Sequence, residues 1–253
     1  MKIFRFNFLV VVGILLMSCQ NSLPGMTGTK APSHELWDEL LKENVNSDGT
    51  VDYKGFISEK KKLDQYLKLI SENAPDRATW SKEEQLAYWI NAYNAFTVKL
   101  IVDHYPVKSI RDLGPSLKIP LIKDVWHYKF FSIGGKESSL DEIEHSILRK
   151  EFEEPRIHFA INCASVSCPP LLNEAFRPSK IDGQLTKVAG EFINGNRNKI
   201  TPNSIQISSI FSWFKEDFTK NGSLIDFLNK FIKVKINSGA KISYLDYNWN
   251  LNE

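Results

Sequence analysis

The sequence has little net charge, few cysteines, and neither internal repeats nor low-complexity tracts. Its 32 basic and 30 acidic residues are interleaved and leave a formal net charge of +2. No basic surface of the kind that binds a phosphate backbone is indicated, so we predict no nucleic-acid partner. Since no second hydrophobic core is evident either, the chain is expected to form one domain.

The N-terminal segment lacks an apolar run long enough to span a membrane. Lys2 and Arg5 precede an apolar stretch over residues 6–17, which is followed by Ser18 and Cys19. A permanent transmembrane helix needs about 20 apolar residues. A basic start, a short apolar centre and a small residue at the end are instead typical of a cleaved secretory signal.

This segment resembles the signal of bacterial lipoproteins, in which a cysteine receives the lipid and becomes the first mature residue. The resemblance implies a signal peptide at residues 1–18, a lipidated Cys19 and a tether over residues 19–32. Acyl chains such as palmitate on Cys19 would anchor the protein to a membrane surface. The same resemblance implies, from Gln20 after the cysteine, a lipid-anchored location in the cell envelope, at the outer membrane facing the periplasm. An ordinary cleaved signal with a chance cysteine is the alternative.

The patterns over residues 33–253 predict a single mixed α+β domain. Ser81 and Glu84 form a capping box before a run that is apolar on nearly every side and ends before Pro106. This run predicts a central buried helix. We expect the helix to pack on a small sheet made of short strands, one of which turns at the glycine pair 134–135.

Residues with chemical potential concentrate in the segment 154–170, which reads EPRIHFAINCASVSCPP. Apolar side chains alternate over residues 156–161 and predict a half-buried strand with His158 on its polar face. Cys163 and Cys168 follow and bracket a short loop. The segment therefore predicts a site that contains two thiols and an imidazole.

Three chemistries fit the two cysteines. A thiolate nucleophile at Cys163 needs a base, for which His158 and His145 are candidates, and an orienting group such as Asn162 or a carboxylate. A disulfide between Cys163 and Cys168 is geometrically possible and is the plainer interpretation in an oxidising compartment. Zinc is disfavoured because the five-residue step exceeds the usual ligand spacing, and we predict no metal and no other cofactor. Both histidines could also be ordinary structural or surface residues.

Two asparagines, Asn91 and Asn94, lie three residues apart on one face of the predicted central helix. A buried carboxamide is costly unless it is hydrogen-bonded. The pair therefore either ties the helix to neighbouring loops or lines the same pocket as His158.

Five segments of the chain are similar in sequence to one protein family. They are VDYKGF (Val51–Phe56), YWINAYNAFTV (Tyr88–Val98), SLDEIEHSILR (Ser139–Arg149), PRIHFAINCASVSCPP (Pro155–Pro170) and YLDYNWNLN (Tyr244–Asn252). On these motifs the chain resembles the family known as domain of unknown function 547, found in bacterial exported proteins and in plant and animal proteins. The motifs run through nearly all of residues 33–253.

The family resemblance implies an α+β exported domain with a set of polar site residues. The candidate catalytic residues are Cys163, His158 and His145, and the candidate binding residues are Asn91, Asn94, Arg156 and Cys168. A helix that precedes a histidine-bearing strand is also weakly similar to papain-like and transglutaminase-like folds, although the order of the asparagines and cysteines differs. No reaction follows from the resemblance.

Three positions depart from the usual residues of the family. Glu154 replaces aspartate, Ala164 and Ser165 replace a glycine and an alanine, and Asn248 replaces an aspartate before the tryptophan. If that aspartate orients a catalytic group, Asn248 puts the role in doubt here.

Two functions are compatible with these features. We favour an exported envelope lipoprotein that binds a ligand or partner, of unknown chemistry, in a polar pocket. The alternative is a cysteine-nucleophile hydrolase or acyltransferase that acts on amide or ester bonds in the envelope. A thiol that is free, exposed and of lowered pKa would favour the enzyme.

Overall fold

The structure, a computed structural model, describes residues 30–113 and 124–253. The predicted signal peptide, Cys19 and residues 19–29 of the predicted tether lie outside the described residues. Within the described ranges, no helix has the length and apolar character needed to cross a membrane.

The described residues contain nine α-helices. They are α1 (Glu35–Asn44), α2 (Tyr53–Ser58), α3 (Lys60–Glu72), α4 (Lys82–His104), α5 (Arg149–Glu151), α6 (Ile181–Asn194), α7 (Ile210–Trp213), α8 (Lys215–Thr219) and α9 (Leu224–Leu228). A π-helix over Glu142–Leu148 runs directly into α5. It begins after a capping box, because Ser139 and Glu142 exchange backbone-to-side-chain hydrogen bonds of 3.2 Å.

Helix α4 is the predicted central helix. Its capping box is present as expected, with Ser81 accepting from the backbone N–H of Glu84 and the Glu84 side chain accepting from that of Ser81. Most of its residues are buried, and its main neighbours are α2, α3 and the π-helix. Phe96 stacks on Phe131 of the first hairpin with ring centroids 3.8 Å apart. The helix therefore lies among other helices and contacts β1 (Phe131–Ile133) through Phe96.

The strands are short and form two separate sheets. They are β1 (Phe131–Ile133), β2 (Lys136–Ser138), β3 (Lys199–Ile200), β4 (Ser204–Ser208) and β5 (Lys241–Leu245). Strands β1 and β2 form the hairpin predicted from Gly134 and Gly135, both of which have positive φ. In the second sheet, β4 pairs antiparallel with β3 and parallel with β5. The α+β class is confirmed.

The predicted strand over residues 156–161 is wrong, because the structure has a 3₁₀ helix at Pro155–Phe159. The Glu154 side chain accepts a hydrogen bond from the backbone N–H of Arg156, and a proline at the first helical position suits a helix start. Ile157, His158 and Phe159 are all buried. Core surrounds the segment on several sides, so alternating apolar residues did not identify a strand.

The C-terminal segment closes the domain by joining distant parts of the chain. Leu251 donates its backbone N–H to Lys108 and forms a bridge with Ser165. Val166 donates to the carbonyl of Asn250, and Val51 donates to that of Asn252. The segment thus fastens the loop that carries the cysteines to the N-terminal part of the fold.

Candidate functional site

Seven parts of the chain surround a cavity of about 240 Å³. They are α4, the 3₁₀ turn Val125–His127, the π-helix, the 3₁₀ helix Pro155–Phe159, the cysteine loop (residues 162–169), α7 and residues 247–249. The lining includes three carboxyl groups and three imidazoles: Asp124, Asp141, Glu144, His127, His145 and His158. Both cysteines of the loop also line it. We refer to it as the cysteine cavity.

The cysteines are both free thiols, with Cys163 partly exposed and Cys168 buried. The Sγ atom of Cys163 lies 3.2 Å from Ser165 Oγ and 3.3 Å from Tyr247 OH. The backbone N–H of Cys163 donates to Cys168 Sγ over 2.8 Å. Two hydroxyl groups are therefore placed to donate to a thiolate on Cys163.

These contacts change the acidity of the two thiols in opposite directions. Burial alone would raise the pKa of Cys163, but hydrogen bonds from Cys168, Ser165 and Tyr247 lower it to about 7. Burial raises the pKa of Cys168, and the neighbouring Cys163 raises it further. Near neutral pH, Cys163 is therefore the thiolate of the pair and Cys168 the thiol.

A network of buried amides holds the cysteine loop in place. Asn94 of α4 donates to the carbonyl of Ala160 over 2.9 Å and accepts from the backbone N–H of Asn162 over 2.8 Å. Asn162 in turn donates to Pro169 O and accepts from Ala164 N. The bonds of this network connect α4 to the loop and cross the loop, so α4 fixes the position of the thiols.

Ala164 has the unusual backbone conformation within this loop. Its φ is 57° and its side chain is fully buried. This left-handed region suits glycine, because a Cβ is disfavoured there by about 1–2 kcal/mol. The hydrogen bond from Ala164 N to Asn162 Oδ1 supports the turn.

Glu144 is a buried carboxyl group in the cavity wall. Its Oε2 atom accepts a hydrogen bond of 3.2 Å from the hydroxyl of Tyr93. Burial raises the pKa of Glu144 to about 7, and the negative charge of Cys163 contributes in the same direction. A carboxyl group of this acidity exchanges protons readily near neutral pH.

His145 is engaged with neighbours along its own helix. Arg149 donates to His145 Nδ1 over 2.8 Å, so this nitrogen is the unprotonated one. His145 Nε2 lies 3.6 Å from Asp141 Oδ1. Burial lowers the pKa of His145 against the opposing charge of Asp141. The imidazole is therefore neutral at physiological pH.

His158 is almost completely buried, at 3% exposure, and stacks on Phe214 with ring centroids 4.0 Å apart. Its Nε2 lies 2.8 Å from Asp217 Oδ2, which assigns the proton to Nε2. Burial lowers the pKa of His158 against the raising effect of Asp217. Its Nδ1 atom is buried and has no hydrogen-bond partner among the described residues. The His158 ring is therefore neutral, and its Nδ1 atom is an unused acceptor.

The mouth of the cavity is aromatic. Trp126, Trp213, Tyr247 and Trp249 form a continuous cluster in which successive ring centroids lie between 4.5 and 5.8 Å apart. Trp213 is 49% exposed. We refer to these four residues as the aromatic rim.

Two predicted binding residues lie away from the cavity. Asn91 donates to the carbonyl of Phe176 and accepts from its backbone N–H, so its amide holds α4 to that loop. Arg156 forms ion pairs with Glu154 and Asp182 on a different surface. Asn94 is a support of the cysteine loop, as described above. Neither Asn91, Asn94 nor Arg156 lines the cysteine cavity.

The structure thus brings Cys163, Cys168, His145 and His158 to one cavity. Glu144, Tyr247 and the aromatic rim also line it and were not predicted from the sequence. The sequence feature that could have indicated Glu144 is its position next to His145 in a helix whose apolar residues face inward. No local sequence feature indicates the aromatic rim. Among residues 30–113 and 124–253, no three His, Cys, Asp or Glu side chains are arranged to hold a metal ion.

Fold and site together define an α+β domain with a thiol cavity lined by acids and aromatic residues. The family described as "Protein of unknown function, DUF547" matches residues 77–193, which span α4, the π-helix, the cysteine loop and nearly all of α6. The chain therefore resembles this family, as its motifs indicated. No curated protein and no solved structure gives a significant match. The similarity to papain-like and transglutaminase-like folds stays a prediction.

Proposed function

We propose that this domain is a thiol-dependent hydrolase or acyltransferase that acts on amide or ester bonds, with Cys163 as nucleophile. One observation carries the proposal. Cys163 is a free thiol on the wall of a cavity, with two hydroxyl groups at 3.2 and 3.3 Å from its sulfur. A stabilised thiolate open to a cavity is the arrangement that nucleophilic catalysis requires.

In the proposed reaction, Glu144 carries the proton. The Cys163 thiolate attacks the carbonyl carbon of the substrate, and a C–S bond forms while the carbonyl π electrons move to oxygen. When the intermediate collapses, the C–N or C–O bond breaks, and the leaving atom takes the proton of the Glu144 carboxyl group. The Glu144 carboxylate then removes a proton from water or from an acceptor amine or alcohol, which attacks the thioester and releases the thiolate.

Glu144 takes this role because Cys163 is among the main influences on its pKa but not among those on the pKa of either candidate histidine. His145 Nδ1 accepts from Arg149, and His158 Nε2 donates to Asp217. By contrast, the charge of Cys163 contributes directly to the raised pKa of Glu144. A carboxyl and a thiol that both titrate at about pH 7 can hold one proton between them at neutral pH.

Trapping of the acyl-enzyme tests the proposal. Activated esters and thioesters are mixed with the full chain, and intact mass spectrometry follows the acyl adduct. The adduct should form on the wild-type chain and on Val166→Ala, an exposed position in the same loop. It should be lost in Cys163→Ala, and Glu144→Gln should slow its hydrolysis by about 100-fold. An adduct that persists in Cys163→Ala, or none with any acyl donor, would contradict the proposal.

A second candidate is the ligand-binding module favoured by the sequence. The observation in its favour is that the hydrogen-bond partners of Cys163 Sγ are the hydroxyl groups of Ser165 and Tyr247 and not an imidazole. For a binding module, Cys163→Ala would leave ligand affinity unchanged and no thioester would form on the wild-type chain.

We also propose that the protein is an exported lipoprotein anchored through Cys19 in the cell envelope, at the outer membrane facing the periplasm. The basic start, short apolar run and cysteine of its N-terminal sequence support this. Labelled palmitate should enter the wild-type chain and Cys163→Ala, and the labelled protein should sediment with outer membranes. Label in Cys19→Ala, or a wild-type chain without label, would overturn the anchor.

A further inference from the structure

We propose that the cysteine cavity binds a protonated amino group of its ligand. The inference deepens the proposed function, because it makes the substrate an amide or ester that carries a cationic amine close to the bond attacked. Three features of the cavity wall support the inference, and each of them favours a cationic ligand.

The first feature is charge. Asp124, Asp141 and Glu144 line the cavity, and no lysine or arginine among the described residues does. Two guanidinium groups that contact lining residues are engaged with protein partners: Arg149 is paired with Asp217 and donates to His145, and Arg111 lies over the ring of Trp249 at 5.1 Å. The wall therefore attracts cations and repels anions.

The second feature is the unused acceptor on His158. Because Nε2 carries the proton toward Asp217, Nδ1 presents a lone pair, and that atom is buried without a partner among the described residues. The ring itself lines the cavity. A buried acceptor is costly unless a donor reaches it. The thiolate of Cys163 and the carboxyl groups accept as well, so the wall offers acceptors to a ligand that must bring donors.

The third feature is the aromatic rim. The faces of Trp and Tyr rings carry partial negative charge and attract ammonium groups within about 6 Å of the ring centroid. Trp213 and Trp249 lie nearly parallel at 19°, whereas Trp126 is inclined to Trp249 by 65°. Rings at different inclinations at a cavity mouth can face one cation from more than one side. Sugar rings also stack on tryptophan, but the absence of a positive donor from the described wall favours an amine over a neutral polyol.

A matched pair of small ligands tests the proposal. Calorimetric titration of the full chain compares 1,5-diaminopentane with 1,5-pentanediol, which has the same length but carries no charge. We expect saturable binding of the diamine that weakens with added salt, and none of the diol. Trp213→Ala should weaken diamine binding by about tenfold, since one cation–π contact is lost. Tyr244→Ala, at a similarly exposed aromatic side chain on β5 outside the cavity, should leave it unchanged.

The outcomes separate this inference from the thiol chemistry. Equal binding of the two ligands, no binding of either, or equal effects of the two substitutions would overturn the cationic site. So would binding of glucose, but not of the diamine, that depends on Trp213. Acylation of Cys163 by neutral and cationic esters at equal rates would retain the proposed reaction and reject the amine preference. Binding of the diamine by a chain that forms no thioester would retain the cationic site and reject the proposed reaction.

Discussion

At the scale of single residues, hydrogen bonds from Cys168, Ser165 and Tyr247 decide the charge of Cys163. Burial opposes ionisation, and hydrogen bonds from neighbours reverse that effect and bring the pKa to about 7. Because burial raises the pKa of Tyr247, its hydroxyl stays protonated and able to donate over the pH range in which Cys163 titrates. It comes from the C-terminal segment, 84 residues beyond the cysteine. The reactivity of the loop therefore depends on a residue outside it.

Tyr247→Phe should raise the pKa of Cys163 to about 8, because a hydrogen bond to a charged acceptor contributes about 1.5 kcal/mol. Alkylation of Cys163 by iodoacetamide, followed by peptide mass spectrometry from pH 5 to 10, measures the change. Near pH 7 the variant should react several-fold more slowly than the wild-type chain, and Ser165→Ala should behave similarly. Tyr244→Phe serves as the control. If Cys163 titrates identically in Tyr247→Phe and in the wild-type chain, the Tyr247 hydroxyl does not lower the pKa of Cys163.

At the scale of elements, the site depends on how α4 meets the cysteine loop. Asn94 satisfies one backbone acceptor and one backbone donor that are both buried, at Ala160 and Asn162. The helix needs no polar residue there for its own stability, since Asn has lower helix propensity than Leu. The asparagine is therefore a support for the loop, and the helix serves as its rigid base.

Replacement of that support should destabilise the fold and loosen the thiols. Asn94→Leu keeps the size of the side chain but leaves two buried backbone groups unpaired, at about 1–3 kcal/mol each. We expect the free energy of unfolding to fall by about 2–5 kcal/mol in urea denaturation. Asn221→Leu, at an exposed position, should change it little. A loss in Asn94→Leu no larger than in Asn221→Leu would show that other contacts position the loop.

Elements with strong local signals were predictable from the sequence. Ser81 and Glu84 identified the start of α4, and the glycine pair 134–135 identified the first hairpin. The 3₁₀ helix at Pro155–Phe159 was not, because alternation over six residues describes a strand and also a short helix surrounded by core. A local hydrophobic pattern does not identify the type of element when the residues of that element are buried on more than one face.

At the scale of the whole molecule, the cavity exists because segments far apart in sequence converge. The rim joins Trp126, Trp213 and Trp249, and the C-terminal segment that carries the last of these also bridges to the cysteine loop. Sequence spacing holds no information on such pairings, so the cysteines were recognisable as a site while its rim and its proton carrier were not. The same convergence buries Glu144, and that burial affects the stability of the whole domain.

Glu144 should reduce the stability of the fold as pH rises. Burial raises its pKa in the folded state to about 7, above its usual value of 4.5. Between these values the folded chain retains a proton that the unfolded chain has released, so stability is complete below about pH 4.5 and decreases until about pH 7. In this window the carboxyl group costs about 3 kcal/mol. Such a cost is typical of a functional group held in an unfavourable environment.

Glu144→Gln should therefore be more stable than the wild-type chain at pH 8, by about 2 kcal/mol, and no more stable at pH 4. Urea unfolding at the two pH values measures the difference, with the exposed Glu137→Gln on β2 as control. The same variant should turn over its thioester more slowly, because the proton carrier is lost. Higher stability with unchanged thioester hydrolysis would separate the buried carboxyl group from the chemistry. Lower stability at pH 8 would show that the ionised group is better solvated than its surroundings indicate.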